Sequence, residues 1–521
     1  MSKSRAFSLF LLKSEFNVQN ALKEEHSLEK VPNVTLPDNA ELFLADVPQI
    51  EPWWKSYLGI SKDLLQGLKG AILFLTVNGR TFALTFGNVY HNLKEESYEY
   101  DFGLLTTLNS IDPDALKSTD VLQPESALRQ RIQTPKSSNL TFFDFDKDSS
   151  IIKRLTGKVK EEYTSWFTNT TGANNLRITT KKQLSDLPSL CSKLLAIYQK
   201  EDYKTLFPDL HNIRPIKDPN QLQSLNTALL LELQRTSQDI LLTIPEIVDY
   251  SNISGIKFSK NLSANLYENI DIADFYSEAG DSLQSLTIKM LRSEYPVTAV
   301  DENNHPVFHH SLYKSLIWDY TNSNNESFHF CDGNWYQVEQ NYLRRLTRTV
   351  DAAFIPYAMP DFHHKSEGAY NADVPNLNTE YICLDRKNIS SVEQVEPCDL
   401  YKAENGNALF IHVKIGTRSA LLSHLFNQGV NSIVLINSDP AAKQKLKTLI
   451  TLAIGKNNLD DYLAPVDNRK SKIIFAIISS KDASQKSKIL PLFSKISLRR
   501  AIQSLKSMNM EFAVTVIKDL S

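Results

Sequence analysis

Close to its C-terminus the chain reads strand, helix, strand: residues 472–479, 490–506 and 512–517. Two strands separated by a helix of that length are compatible with a parallel crossover, in which the helix carries the chain back across the sheet. That points to an α/β unit at the end of the chain. The residues before it extend the same unit. Three strand-like runs separated by turns lie at 380–384, 398–401 and 408–414. A helix over 417–427 follows, with Gly429 as a left-handed stop, then a further strand over 430–437. Earlier still, 310–319 is a short apolar helix or strand. Residues 327–331 and 335–338 flank Asp332-Gly333-Asn334 as a hairpin, and a helix covers 339–348. The stretch 359–378 is polar and has little periodicity.

At 521 residues the chain is too long for one ordinary core. Its patterning suggests three parts. Residues 1–150 are β-rich, with strand-like runs at 5–13, 41–47, 71–77, 81–86 and 102–108; Asn78-Gly79 between two of them is a strong hairpin signal. Residues 151–300 turn to helices. Leu187, Leu190, Leu194 and Ile197 share one helical face, and so do Leu222, Leu225, Leu229 and Leu233. Residues 301–521 hold the α/β unit. The fold class is therefore α/β within an α+β whole, multidomain, with a mixed sheet in its C-terminal core.

Four cysteines, far apart and with no C-x-x-C pair, argue against a zinc ribbon and fit a reducing compartment. The apolar run 6–12 is closed by Lys13 and Glu15, too short to span a bilayer, so a cytoplasmic protein with no membrane partner is expected. The net charge of −3 makes no global case for nucleic acid. From Arg469 to Ser521, however, eleven Lys or Arg stand against three Asp or Glu. Such a segment is either a solvated face or an electrostatic footprint for a polyanion. Gly-x-Ser-x-Gly, phosphate-cradling Gly-rich Lys-Ser/Thr and dinucleotide motifs are all missing.

One constellation in the C-terminal part carries chemistry: Glu367, then Asp399 at a strand, then His412-Val413-Lys414 on the next strand. Alternation puts His412 and Lys414 on one face and Val413 on the other. Cleaving a phosphodiester needs a divalent cation on hard ligands, an activated water, and a positive group near the phosphate. The order supplies those parts, and residues 367–428 resemble the core of PD-(D/E)xK nucleases. His412 stands where that pattern has a second acid, which would favour manganese over magnesium. The resemblance implies a restriction-endonuclease-like core with Glu367, Asp399 and His412 as metal ligands and Lys414 at the phosphate. On the helix that follows, Arg418, Ser419 and Gln428 are placed to approach a nucleic acid, while His424 reads as structural. Arg344, Arg345 and Arg348 can reach a backbone from the 339–348 helix. Phe328, Phe330, Trp335 and Tyr336 read better as hairpin core than as base-stacking platforms. His363-His364 is a poor chelate on irregular backbone, and Asp385 in Asp385-Arg386-Lys387 reads better as part of an exposed turn than as a further acidic contribution.

Phrases at 85–87, 102–109, 396–400, 411–414 and 422–429 together resemble a sporadically distributed bacterial family of uncharacterised proteins, often found beside phage-defence or restriction genes. What this resemblance implies is an anti-phage defence protein with a nuclease acting on foreign DNA or RNA, Mg2+ or Mn2+ as cofactor, other defence proteins as partners, and homo-oligomers permitted. The alternative is an inactive nuclease-like subunit that binds or senses nucleic acid.

Overall fold

The structure is a computed structural model; it describes residues 3–521 apart from 33, 47–50, 66, 68, 125–126, 144–150, 208–212, 260–263, 391–393 and 455–457. The chain forms two compact units, residues 1–122 with 129–211, and residues 123–128 with 212–521. The main division thus falls between the breaks expected near 150 and 300.

The first unit is built on a ten-stranded sheet. Its Asn78-Gly79 turn joins Lys69–Val77 to Arg80–Phe86 as read from the sequence, with φ of 51° and 73° at the two turn residues. The leucine stripe of the Leu187–Tyr198 helix packs into the core with Leu73, Phe82 and Leu84. One expectation is overturned: residues 102–108 are not a strand but part of a helix, Phe102–Ser110. Tertiary burial outweighs the β preference of its threonines. Thr107 shares a hydrogen bond with Thr170 (2.8 Å), and Asn109 donates to the carbonyls of Ile197 and Lys200 at the end of the neighbouring helix (both 2.9 Å).

In the second unit the hairpin Ser327–Cys331/Asn334–Val338 forms as expected, and Phe328, Phe330 and Trp335 are buried in its core. The 310–319 run is divided. Pro306–Ser311 and Leu316–Thr321 are strands, with one helical turn, Leu312–Ser315, between them. The C-terminal part is a mixed five-stranded sheet in the order Tyr381–Cys383, Leu400–Glu404, Asn407–Ile415, Ser471–Ser479, Glu511–Lys518. The first three strands pair antiparallel and the last three parallel, so the crossover reading holds. Ile411, Val413, Ile474 and Ala476 form a core with Tyr370 and Val374 of the Glu367–Leu377 helix. That helix lies in the stretch read as aperiodic; the Ser366 hydroxyl caps it by accepting from the Ala369 amide (3.3 Å). Mixed α and β structure is thus the fold class. No helix among the described residues is long and apolar enough to cross a membrane.

Gly429 does not stop a helix, and 430–437 is not a strand. One helix runs unbroken over Ser419–Ser438. Its buried residues Leu422, Leu425, Phe426, Ile433 and Ile436 follow helical spacing across the glycine. Gly429 is there for close approach. A Cβ on it would lie 2.6 Å from the Phe475 ring and 3.2 Å from the His412 ring. We therefore expect Gly429→Ala to destabilise the protein by about 1–3 kcal/mol through overpacking, despite a gain of about 1 kcal/mol in helix propensity. Denaturant unfolding measures this, and Phe475→Leu in the same chain should recover part of the loss. A more stable Gly429→Ala protein would contradict this packing.

Candidate functional site

The site grows from the antiparallel end of the C-terminal sheet. Asp399 enters just before the Leu400–Glu404 strand, after Pro397 has turned the chain. Its backbone is clamped on both sides. The Asp399 amide donates to the Ile411 carbonyl (3.1 Å), and its carbonyl accepts from the Leu384 amide (2.8 Å). Its side chain turns back to the neighbouring strand, where Oδ2 accepts from the Val413 amide (2.6 Å). The carboxylate is buried, 7% exposed.

Two more carboxylates meet it. Asp385 follows the Tyr381–Cys383 strand at a turn in which Arg386 has φ 58°. Glu396 lies three residues before Asp399. One oxygen from each of Asp385, Glu396 and Asp399 lies within 4.8 Å of the others. Burial first, then the Asp385, Glu396 and Glu367 charges, push the Asp399 carboxyl up to about 7, against the hydrogen bond from Val413 that lowers it. Such a cluster is short of positive charge. Its donors are all carboxylate oxygens, the set that suits magnesium, calcium or manganese rather than a soft metal. Burial keeps the intervening Cys398 thiol protonated, so it does not compete as a ligand.

Glu367 takes a different post from the one expected. It heads its helix and binds Lys414, with Nζ to Oε1 at 2.7 Å, while its Oε2 accepts from the Ile415 amide (2.8 Å). The next residue, Gly368, brings the helix start to the cluster: a Cβ there would be 3.5 Å from Asp385 Oδ2. Lys414 is therefore held at the rim by an acid that also acts on Asp399.

His412 does not join the carboxylates. It is fully buried, tilted against Phe475 with ring centroids 6.3 Å apart, and beside Gly429. Neither ring nitrogen has a hydrogen-bond partner. Burial alone pushes it down to about 3, so it stays neutral. His412 and Lys414 share a face as expected, but the strand ends at Ile415, and only the lysine reaches round its end.

The other expected residues divide. Gln428 supports the cluster by donating to Glu396 Oε2 (3.3 Å). Arg418 and Ser419 stand at the start of the Ser419–Ser438 helix, away from the carboxylate trio and lining a separate cavity. Arg344 and Arg345 are exposed on the Gln340–Asp351 helix, where Arg344 binds Asn341 and Arg345 faces Glu339. His364 binds Asp373 (3.1 Å), and His363 is exposed. Glu396 is the residue that sequence reading missed. Its signal was an acid, a proline and Asp399 within four residues, which a turn folds together.

The family model described as a family of unknown function (DUF6119) matches residues 7–518, and the chain belongs to that family. No curated protein and no solved structure matches it.

His412 gives a test of this geometry. Its folded pKa lies below the ordinary 6.5, so the neutral ring contributes stability that is present above about pH 6.5 and lost as pH falls towards 3. His412→Leu is expected to shift acid unfolding to lower pH. At pH 7.5 it should keep its stability or gain up to about 3 kcal/mol, because two unpartnered nitrogens leave the core. Its Mn2+ affinity, measured by calorimetry, should match the wild type; a large loss would return the histidine to the metal site.

Proposed function

We propose that the C-terminal sheet carries a metal-dependent phosphodiesterase, a nuclease of the PD-(D/E)xK type acting on nucleic acid. The observation that carries this reading is the convergence of Asp385, Glu396 and Asp399 beside the Lys414–Glu367 pair. The order of elements supports it. A helix with an acid at its start precedes three antiparallel strands, then a helix and a parallel strand. That is the order of the nuclease core which residues 367–428 resemble.

The donor set fits a hard divalent cation, with Asp385, Glu396 and Asp399 holding it. Magnesium or manganese bound there would supply Lewis-acid polarisation of the phosphodiester and activation of the attacking water. The chain's own residues do the rest. Asp399 is fixed in place by the Val413 amide and cannot swing away when the charge around it changes. Glu367, bound to the Ile415 amide, is a positioning residue that holds the Lys414 ammonium at the rim. There Lys414 faces the negative charge that grows on the phosphate oxygens as water adds and the ester P–O bond breaks. Oxygen ligands alone remove the bias towards manganese that a histidine ligand would have brought. The resemblance to a defence-associated bacterial family supports foreign DNA or RNA as the substrate.

A second reading rests on one observation: the position that carries the second acid of the nuclease pattern holds His412, locked in the core with no ligand role. On that reading the fold binds or senses nucleic acid without cutting it.

Cleavage of single- and double-stranded DNA and RNA, with Mg2+, Mn2+ or EDTA, separates the two. Under the first reading, EDTA abolishes cutting. Asp399→Asn and Asp385→Asn lose about 10²-fold or more, and Lys414→Ala about 10²–10³-fold. Glu367→Gln should fall less and keep its metal affinity, since it acts through the lysine. Asp399→Asn should also raise the melting temperature of the metal-free protein at pH 8 by removing a buried like charge. Binding without cutting in any metal, unchanged in these variants, would favour the second reading.

A further inference from the structure

A second polar feature of this unit lies beyond the carboxyl ends of two parallel strands, and none of the three carboxylates lines it. The Asn407–Ile415 and Ser471–Ser479 strands run parallel, and just beyond their carboxyl ends lies a cavity of about 190 Å³. In open α/β sheets this is the place where ligands bind. Arg418, Ser419, Lys481 and Lys488 line it, together with Asp239 and Asp319.

The charges around the cavity are not matched. Among the described residues, Arg418 and Lys488 make no hydrogen bond or ion pair through their side chains. Lys481 binds only neutral oxygens, Thr417 Oγ1 (2.8 Å) and the Ile489 carbonyl (3.2 Å). Asp319, the acid in the wall, is already engaged. Its Oδ1 accepts from His329 Nδ1 (2.8 Å), and its Oδ2 accepts from the Phe493 amide (3.4 Å). Behind that wall stands Lys495, 8% exposed, whose side chain makes no hydrogen bond or ion pair among the described residues. Burial lowers its pKa, while Asp319 and Asp351 attract its ammonium and Lys488 repels it. The backbone adds to the field. The Ser419–Ser438 helix starts at the cavity with no side chain capping it, and the Ser419 hydroxyl is held by Ser494 (3.2 Å).

We propose that this cavity binds a phosphate group, held by Arg418, Lys481, Lys488 and the start of the Ser419–Ser438 helix. The cavity is small, and Asp239 and Asp319 also line it, so one compact phosphate group fits better than an extended polyanion lying across the surface. Two sources present that chemistry: a free phosphorylated small molecule, or one phosphate of a nucleic-acid strand. The cavity is independent of the carboxylate trio and of any cleavage there.

The test is thermal unfolding and calorimetry of the full chain in EDTA, with inorganic phosphate against chloride at equal ionic strength. Phosphate should raise the melting temperature of the wild type beyond chloride. Arg418→Gln/Lys488→Gln should melt like the wild type in chloride, because both residues are exposed and unpaired. It should bind phosphate about tenfold or more weakly. Asp399→Asn should keep the full phosphate response. A single-stranded oligonucleotide distinguishes the sources. If its affinity falls in the double variant and the salt slope drops by about one per lost contact, the phosphate belongs to the strand. If only inorganic phosphate is affected, the ligand is a small phosphorylated molecule. Equal responses to phosphate and chloride, an undiminished phosphate response in the double variant, or its loss in Asp399→Asn would each overturn the proposal.

Discussion

The Ser471–Ser479 strand is buried on both faces for most of its length, and much of the C-terminal part follows from that one constraint. Ile473 to Ile478 have no exposed surface, so each face must be covered. On one side the Glu367–Leu377 helix supplies Tyr370 and Val374. On the other, the Ser419–Ser438 helix has to come close enough to meet Phe475 and His412, and it does so at a residue with no side chain. Covering both faces fixes where the helices begin. One begins with Glu367 beside Lys414, and the other with Arg418 and Ser419 beyond the ends of the parallel strands. The polar sites are consequences of how an apolar strand is buried.

The same constraint explains what could be read in the sequence. Strands with one clear pattern were legible: the 408–414 run, the closing strand–helix–strand and the Asn78-Gly79 hairpin all announce themselves through alternation, length or turn chemistry. The leucine stripes at 187–197 and 222–233 were legible because helical spacing persists over several turns. Gly429 was misleading, since a glycine that permits close packing inside a helix looks locally like one that ends it. The strand expected over 430–437 was the consequence, because Val430, Ile433, Val434, Leu435 and Ile436 have no decisive period once the helix is cut before them. Phe102–Ser110 misled in a similar way. Its helix is fixed by Thr107 and Asn109 bonding to partners 63 to 91 residues away, which no local pattern reveals.

At the candidate site, the sequence order located the strands, and of the residues it named the structure groups Asp399 with Asp385 and Lys414 with Glu367. Asp399 and Lys414 could be found because strand alternation and the acid-then-lysine order are local properties. The exchange of roles among Glu367, His412 and Glu396 could not, because it depends on what each side chain meets across the sheet. His412 shares a face with Lys414, yet lies two residues earlier on the strand under the Ser419–Ser438 helix, where burial keeps the imidazole neutral near pH 7. Glu396 depends on Gln428 from that helix for its hydrogen bond. Gln428 therefore belongs to the site as support for a carboxylate rather than as a contact to nucleic acid.

There remains the question of why opposite charges in one unit do not neutralise each other. Three carboxylates crowd at Asp399, while among the described residues the side chains of Arg418, Lys488 and Lys495 have no bonded partners. Lys414 reaches towards the acids, where Glu367 takes it up, and the Arg386 guanidinium lies near Asp385. Had the chain needed only stability, pairing these groups would have been the cheaper arrangement, because like charges gathered in partly buried places oppose folding. Hydrogen bonds hold the two groups in place: the Val413 amide fixes Asp399, and the Thr417 hydroxyl with the Ile489 carbonyl fixes Lys481. An arrangement that holds an anionic cluster and a cationic cavity apart on rigid strand ends is stabilised most by a cation for the first and an anion for the second. The two proposals, a cation at the carboxylates and a phosphate in the cavity, would account for both features at once, whereas a purely structural role leaves both costs standing.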